Sequence, residues 1–286
     1  DDLSVMTEMV KAGVNVFRIN MSHATPEQAR VRAERVRQIN ARFGTNVAVL
    51  VDLQGPKLRV GTIAEGAEVH PGDIVTFTNT PCEGDATRAY MTYKDFAKDV
   101  KPGERILLDD GKLVFEVKET NGRDEVKAEV VQGGPFLSKK GVNLPNTKVS
   151  LPALTEKDKE DVKIGIDIDA DWFALSFVRN SEDIELLRAE IAMYTDKRIP
   201  IVSKIEKPEA VADIDNILRH TDAIMVARGD LGIEVPAEDV PLIQKMLVKK
   251  ARHYARPIII ATQMMESMMD SVTPSRRDVN DVAITV

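Results

Sequence analysis

The stretch Ile201-Val202-Ser203-Lys204-Ile205-Glu206 decides the reading of the fold. It opens apolar and β-branched and ends in charge, the pattern of a buried parallel strand whose C-terminal end meets a polar site. Side chains at i and i+2 of a strand share a face, so Lys204 and Glu206 point one way and Ile205 the other. The next such strand runs into Ala227-Arg228-Gly229-Asp230-Leu231-Gly232, which sets Asp230 at its end. Two carboxylates and an ammonium converging at strand ends suit a hard divalent cation and an anionic substrate. The alternative is a structural ion pair, since such networks also gather charge without catalysis.

Outward from this stretch, strand candidates recur at residues 14–20, 47–52, 172–178, 200–206, 223–227 and 257–262. They are apolar on both faces, as parallel strands covered by helices are. Helix signals lie between them. Thr25-Pro26-Glu27-Gln28 supplies an N-cap, a proline at N1 and a glutamine at N3. Ser181-Glu182-Asp183 opens a helix with Ile184, Leu187 and Ile191 on one face, and Thr155, Pro208 and Pro236 mark other starts. Strand alternating with helix predicts a parallel α/β sheet or barrel. The interval from Asp52 to Trp172 breaks the pattern with glycine-rich turns and short alternating strands. Asp109-Asp110-Gly111 and Asn121-Gly122 read as hairpin turns. The expectation is an all-β domain of residues 57–151 inserted into a βα loop, with 1–56 and 152–286 forming a discontinuous barrel.

The 286 residues suffice for one or two domains, and 43% of them are hydrophobic. A net charge of −7 argues against a nucleic-acid surface. No apolar run is long enough to span a bilayer, so no membrane partner is expected. Nor does the N-terminus read as a signal peptide. The single cysteine, Cys82, suits a reducing compartment and reads as incidental. Together these predict a cytoplasmic protein.

In Phe17-Arg18-Ile19-Asn20-Met21-Ser22-His23, strict alternation puts Arg18, Asn20 and Ser22 on one side. A guanidinium, an amide and a hydroxyl there make an anion cradle. Equally, Arg18 reads as stitched to a neighbouring carboxylate. Val51-Asp52-Leu53-Gln54-Gly55-Pro56-Lys57-Leu58-Arg59 combines an acid, a Gly-Pro break and two cations at the junction of barrel and insertion. Thr262 ends the apolar run Ile258-Ile259-Ile260-Ala261 with a hydroxyl. Ser138-Lys139-Lys140-Gly141 offers two lysines to phosphates, or is a plain surface loop. No Walker A or GxGxxG loop is present in the sequence, so a nucleotide would be held otherwise.

FRINMSH from Phe17, VDLQGPKLR from Val51, SKKGVNLP from Ser138, LSFVR from Leu175, SKIEK from Ser203, ARGDLGIEVP from Ala227 and ATQMMESM from Ala261 follow in order. As a set, covering almost the whole chain, they resemble pyruvate kinase. The resemblance implies a (β/α)8 TIM-type barrel, incomplete here, with an inserted β-barrel lid. The first and eighth barrel strands and the C-terminal domain are expected to be missing. It implies transfer of the phosphoryl group of phosphoenolpyruvate to ADP, giving pyruvate and ATP, in a parent that is a homotetramer.

By motif position, Glu206 and Asp230 are implied to hold Mg²⁺ or Mn²⁺, and Lys204 and Arg18 to bind the phosphoryl group. Thr262 is implied to help protonate the enolate, and the backbone around Arg228, Gly229 and Asp230 to bind the substrate carboxylate. Asn20, His23, Arg59 and Lys140 match nucleotide-side positions. The monovalent-cation region of potassium-dependent members matches Asn20, Ser22, Asp52 and Leu53. Here Lys57 stands where those members carry Glu, and Leu53 where they carry Thr, so K⁺ is expected not to be required. The alternatives are an inactive or partner-dependent fragment, or another Mg²⁺-dependent enolate-forming enzyme acting on pyruvate or phosphoenolpyruvate.

Overall fold

The computed structural model describes residues 2–285. The chain opens with α1 (Leu3–Lys11), β1 (Val16–Asn20), α2 (Pro26–Phe43) and β2 (Ala48–Asp52). Eight strands follow: β3 (Glu68–Val69), β4 (Ile74–Thr78), β5 (Arg88–Tyr90), β6 (Arg105–Leu108), β7 (Leu113–Thr120), β8 (Glu125–Gln132), β9 (Gly134–Pro135) and β10 (Val142–Asn143). A one-turn α3 (Phe96–Asp99) lies between β5 and β6. Alternation then resumes with α4 (Glu156–Asp167), β11 (Trp172–Leu175), α5 (Ser181–Ala192) and β12 (Ile201–Ile205). The remainder is α6 (Pro208–Ala212), α7 (Ile214–His220), β13 (Ala223–Ala227), α8 (Arg228–Glu234), α9 (Val240–His253), β14 (Ile258–Ala261) and α10 (Arg276–Thr285). The chain divides into two compact units. One comprises residues 1–56, 153–229 and 240–286, the other residues 57–152 and 230–239.

The first unit is an α/β layer built on one parallel sheet of order β1-β2-β11-β12-β13-β14. This is the sequential order of a barrel wall, each crossover carried by a helix. β12 and β13 are buried at every position, which their unbroken apolar runs require. Leu50, Ala174, Val202, Ala223 and Met225 pack together on one face of this sheet. Helix α2 begins as the sequence reads: Thr25 and Gln28 complete a capping box with Pro26 in the first turn. Helix α5 buries Ile184, Leu187 and Ile191, although its N-cap is Asn180, one residue earlier than the sequence suggests. After Pro236 a 3₁₀ turn, Ala237–Asp239, precedes α9.

Strand ends depart from the sequence reading in a consistent way. β11 stops at Leu175, and Phe177 takes a left-handed φ of 55°. β14 stops at Ala261, and Thr262 follows at φ 70°. β1 stops at Asn20, whose carbonyl accepts from the N–H groups of His23 and Ala24, so Ser22 lies in a turn. Asp230 is not a strand-end residue: β13 ends at Ala227 and Asp230 sits in the first turn of α8. At β1 local turn bonds take the backbone off the ladder, whereas after β11 and β14 the Phe177 N–H and the Thr262 hydroxyl are held by Glu206 and Gly229.

The second unit holds a six-stranded, mostly antiparallel sheet of order β10-β6-β7-β8-β4-β5 and a small β3-β9 pair. Asp109, Asp110 and Gly111 all take positive φ in the β6–β7 turn, at 50°, 58° and 81°. One face is buried, with Val126, Ala128 and Val130 alternating against exposed Lys127.

Candidate active site

The first unit brings Arg18, Asp52, Lys204 and Glu206 together at the C-terminal ends of β1, β2 and β12. Parallel pairing sets Asn20 opposite Asp52. Lys204 and Glu206 share a face, as their i, i+2 spacing requires. The Lys204 Nζ lies 3.1 Å from Glu206 Oε1, 3.4 Å from Asp52 Oδ1 and 2.9 Å from Ser176 Oγ. Asp52 and Glu206 are each 1% exposed, and Lys204 8%. Burial alone would pull the Lys204 ammonium toward neutrality. The Glu206 and Asp52 carboxylates outweigh it, and the lysine's pKa lies above its ordinary value.

Arg18 is the opposite in exposure. Its Nε donates to Asp52 Oδ2 at 2.6 Å, yet nearly half of its side chain remains in solvent. The stitched-arginine reading and the anion-cradle reading therefore coexist: one guanidinium nitrogen is engaged while the side chain stays accessible. Asp52 thus lies between two cations. Asn20 Oδ1 accepts from the Ser22 N–H at 3.0 Å, closing the turn that carries exposed His23.

Ser176 and Phe177 belong to this group, though sequence reasoning assigned them no role beyond membership of the LSFVR motif. Ser176 Oγ, which accepts from Lys204, donates to the Leu53 carbonyl at 2.7 Å. The Phe177 N–H donates to Glu206 Oε2 at 2.7 Å. A bulky residue at positive φ is uncommon and marks a constrained position. Here the unusual backbone aims an N–H at a buried carboxylate.

At the end of β14, Thr262 Oγ1 accepts from the Gly229 N–H at 3.1 Å. A hydroxyl that accepts one bond still has its own proton to donate. Arg228 Nη1 lies 2.6 and 2.7 Å from the two Asp281 carboxylate oxygens, and its Nη2 donates to the Thr262 carbonyl. Its guanidinium therefore fixes this strand end.

Arg59, Lys140, Lys57 and Asp230 fall in the second unit. Arg59 bridges Gly141 in antiparallel fashion, and its Nη1 donates to the Lys139 carbonyl at 2.9 Å, so the sequence-distant Arg59 and Lys140 lie on paired segments. Lys140 pairs with Asp109 at 2.9 Å, and the Lys140 and Lys112 ammoniums hold the Asp109 carboxyl below its usual range. Lys57 is exposed. No group of three or more His, Cys, Asp or Glu side chains among the described residues could hold a metal by itself. Glu206 in the first unit and Asp230 in the second each carry a carboxylate, a hard oxygen donor of the type Mg²⁺ accepts. No helix among the described residues is long and apolar enough to cross a membrane.

The family model described as pyruvate kinase, barrel domain, matches residues 1–286. A curated pyruvate kinase of Mycobacterium tuberculosis is 44% identical over 288 residues, covering 100% of this chain and 60% of its own. One from Mycobacterium intracellulare is 45% identical over 279 residues, 97% of this chain and 59% of its own. Pyruvate kinase 2 of Synechocystis is 44% identical over 284 residues, 98% of this chain and 48% of its own. The chain therefore spans about 60% or less of the length of these relatives. With the parallel barrel wall, the charged strand ends and a match along its full extent, the chain belongs to the pyruvate kinase barrel-domain family.

Proposed function

We propose that the protein containing this chain transfers the phosphoryl group of phosphoenolpyruvate to ADP, giving pyruvate and ATP. The observation that carries the reading is the buried Lys204 ammonium between Asp52 and Glu206, beside the half-exposed Arg18. A fixed cation at a dry strand end is suited to a group whose negative charge spreads during transfer. Lys204 and Arg18 neutralise the phosphoryl oxygens as the bond to the enol oxygen breaks and the bond to a terminal ADP oxygen forms. The enolate left behind takes a proton at its methylene carbon, supplied through water by the Thr262 hydroxyl. Backbone N–H groups around Arg228, Gly229 and Asp230 orient the substrate carboxylate, the Gly229 N–H exchanging its bond to Thr262 Oγ1 for one to the substrate.

Glu206 and Asp230 are the ligands we assign to Mg²⁺ or Mn²⁺, which would polarise substrate oxygens and balance their charge. Asn20, His23, Arg59 and Lys140 are assigned to the nucleotide, and the 57–151 insertion to a lid that closes over it. Relatives bearing the pyruvate kinase name support the activity. K⁺ is not needed in this scheme, since Asp52 already has two protein cations beside it.

The test is pyruvate formation by the full-length protein from phosphoenolpyruvate, ADP and Mg²⁺. Absence of ADP-dependent pyruvate overturns the proposal. Pyruvate released without ATP would favour a different enolate-forming enzyme. Asp230→Asn should abolish most metal-dependent turnover, and unchanged activity with unchanged Mg²⁺ affinity would remove Asp230 from the ligand set.

A further inference from the structure

Asp158, in the first turn of α4, is 0% exposed, and three donors converge on its carboxylate. The Gly55 N–H reaches Oδ1 at 2.9 Å. The Thr155 N–H and O–H reach Oδ2 at 2.8 and 2.7 Å. Helix capping accounts for the second pair, since a capping-box residue reaches back to the N-cap backbone. It does not account for the first. Gly55 is far away in sequence and belongs to no helix.

The positions of these partners are informative. The first compact unit is interrupted after Pro56 and resumes at Ala153. Gly55 lies just before the chain leaves, and Thr155 just after it returns. A single buried carboxylate therefore grips both chain crossings from the barrel side. Gly55 sits at φ +70°, and a Cβ there would meet Phe177 Cδ2 and Ser176 Cβ at 3.0 Å. The turn is thus pressed against the two residues that hold the catalytic charges. Leu53 is bound by Ser176 Oγ, which also takes the Lys204 ammonium, and Phe177 N–H holds Glu206.

We infer that Asp158 is a positioning residue that locks both barrel-side ends of the lid connections in one register and, through the turn at 53–55, keeps Ser176 and Lys204 in place as the lid moves. Its consequence for turnover rests on the phosphotransferase reading above; the anchoring itself does not.

The test uses the full-length protein, with amide hydrogen exchange and steady-state kinetics measured together. In the wild type the Gly55 and Thr155 amides should exchange at one common rate, because one group holds both. Rates differing by more than about 100-fold, beyond the worth of one charge-assisted hydrogen bond, would overturn the anchor. Asp158→Asn places an NH₂ where an acceptor stood. It should speed exchange at one or both amides by about 10- to 100-fold. It should also lower kcat by about tenfold or more while KM for phosphoenolpyruvate stays within a few-fold. Thr155→Ala removes the cap hydroxyl but leaves the Gly55 bond, so it should lower Tm without that fall in kcat. Equal losses of kcat in both variants, tracking equal losses of Tm, would reduce Asp158 to a helix cap and overturn the inference. If Asp158→Asn does not fold, the wild-type exchange rates decide. If the wild type forms no pyruvate, the functional reading fails, and the exchange measurements still decide the anchor.

Discussion

The second unit buries Phe77, Phe96, Phe115 and Phe136 among Val, Ile, Leu and Ala. Phe77 meets Phe96 and Phe115 edge-to-face at 6.0 and 5.2 Å between centroids. Most of its charges stay outside, as in the part-exposed Glu116–Lys118–Glu129 ladder, with Asp109 and Glu234 the buried exceptions among its described residues. The first unit instead buries Asp52, Asp158, Ser176, Lys204 and Glu206. Removing an ion from water costs several kcal/mol even after relaxation. A unit that needs only to hold its shape has no reason to bear that cost. The contrast separates a body that provides form from a wall whose strand ends store charge for chemistry.

Lys204→Met in the full-length protein is the sharpest challenge to that contrast. If the buried charge serves the transition state, kcat should fall by about 10²–10³-fold with KM for phosphoenolpyruvate little changed. A large rise in KM with kcat intact would show that Lys204 binds ground and transition states alike. Thermal melts should accompany the kinetics, because the variant leaves Asp52 and Glu206 facing one another with one cation fewer.

Phe115→Ala addresses the other side. Truncating a buried phenylalanine costs about 3–5 kcal/mol, and Phe115 is 0% exposed. Amide protection should collapse across β7 and β8 while β12 and β13 keep theirs. Equal loss in both sheets would mean that the two units share one cooperative core.

The same contrast explains what the sequence made legible. Unbroken apolar runs in β12 and β13 and alternation in β8 are the two periodicities of doubly and singly buried strands, and both appear as expected. The capping box at Thr25 is equally local and equally readable. Strand ends were not. Phe177 and Thr262 leave the ladder at positive φ, which no propensity favours for such residues. Their conformations are imposed by Glu206 and Gly229, partners distant in sequence. The pairing of Lys204 with Ser176 and the double grip of Asp158 were hidden for the same reason: a serine or aspartate announces a hydrogen bond but not its partner.

A smaller effect should come from Asp99 in the second unit. Its Oδ2 accepts from the Ser150 N–H and its Oδ1 from the Ser150 O–H, both at 2.8 Å, and Tyr93 O–H also donates to it. Burial raises the Asp99 pKa, but the Tyr93 and Ser150 donors outweigh it and hold the carboxyl below its ordinary range. A depressed folded pKa stabilises the protein above the unfolded value of about 3.9 and loses that contribution as pH falls toward the folded one. Asp99→Asn should therefore lower Tm by a few degrees at neutral pH. The gap from the wild type should narrow as pH drops below that range. A gap independent of pH from 7 to 3 would show that the ionised carboxylate is not what matters. A difference of this kind would also show that the second unit ties its own end at Ser150 with exposed polar bonds, where the first uses a buried one.

The smallest expected effect concerns K⁺. In potassium-dependent members the cation site lies around positions matching Asn20, Ser22 and Asp52, with a carboxylate at the position of Lys57. The first unit leaves little uncompensated charge at Asp52: Arg18 Nε stands 2.6 Å from one oxygen and Lys204 Nζ 3.4 Å from the other. Asn20 Oδ1 already accepts the Ser22 N–H, which leaves one lone pair for any cation. Lys57 carries an ammonium where those members carry an acid. Two unit charges 4 Å apart interact by about 4 kcal/mol at an effective dielectric near 20, so the Arg18 and Lys204 cations beside Asp52 lower its attraction for a further cation. Turnover of the full-length protein at constant ionic strength, with Na⁺ and K⁺ absent, should change by less than about twofold when KCl is added, since only general screening remains. Lys57→Glu should then create a dependence on KCl that the wild type lacks. Stimulation of the wild type by about tenfold or more, equivalent to about 1.4 kcal/mol, would mean that the cations beside Asp52 do not substitute for a bound monovalent ion.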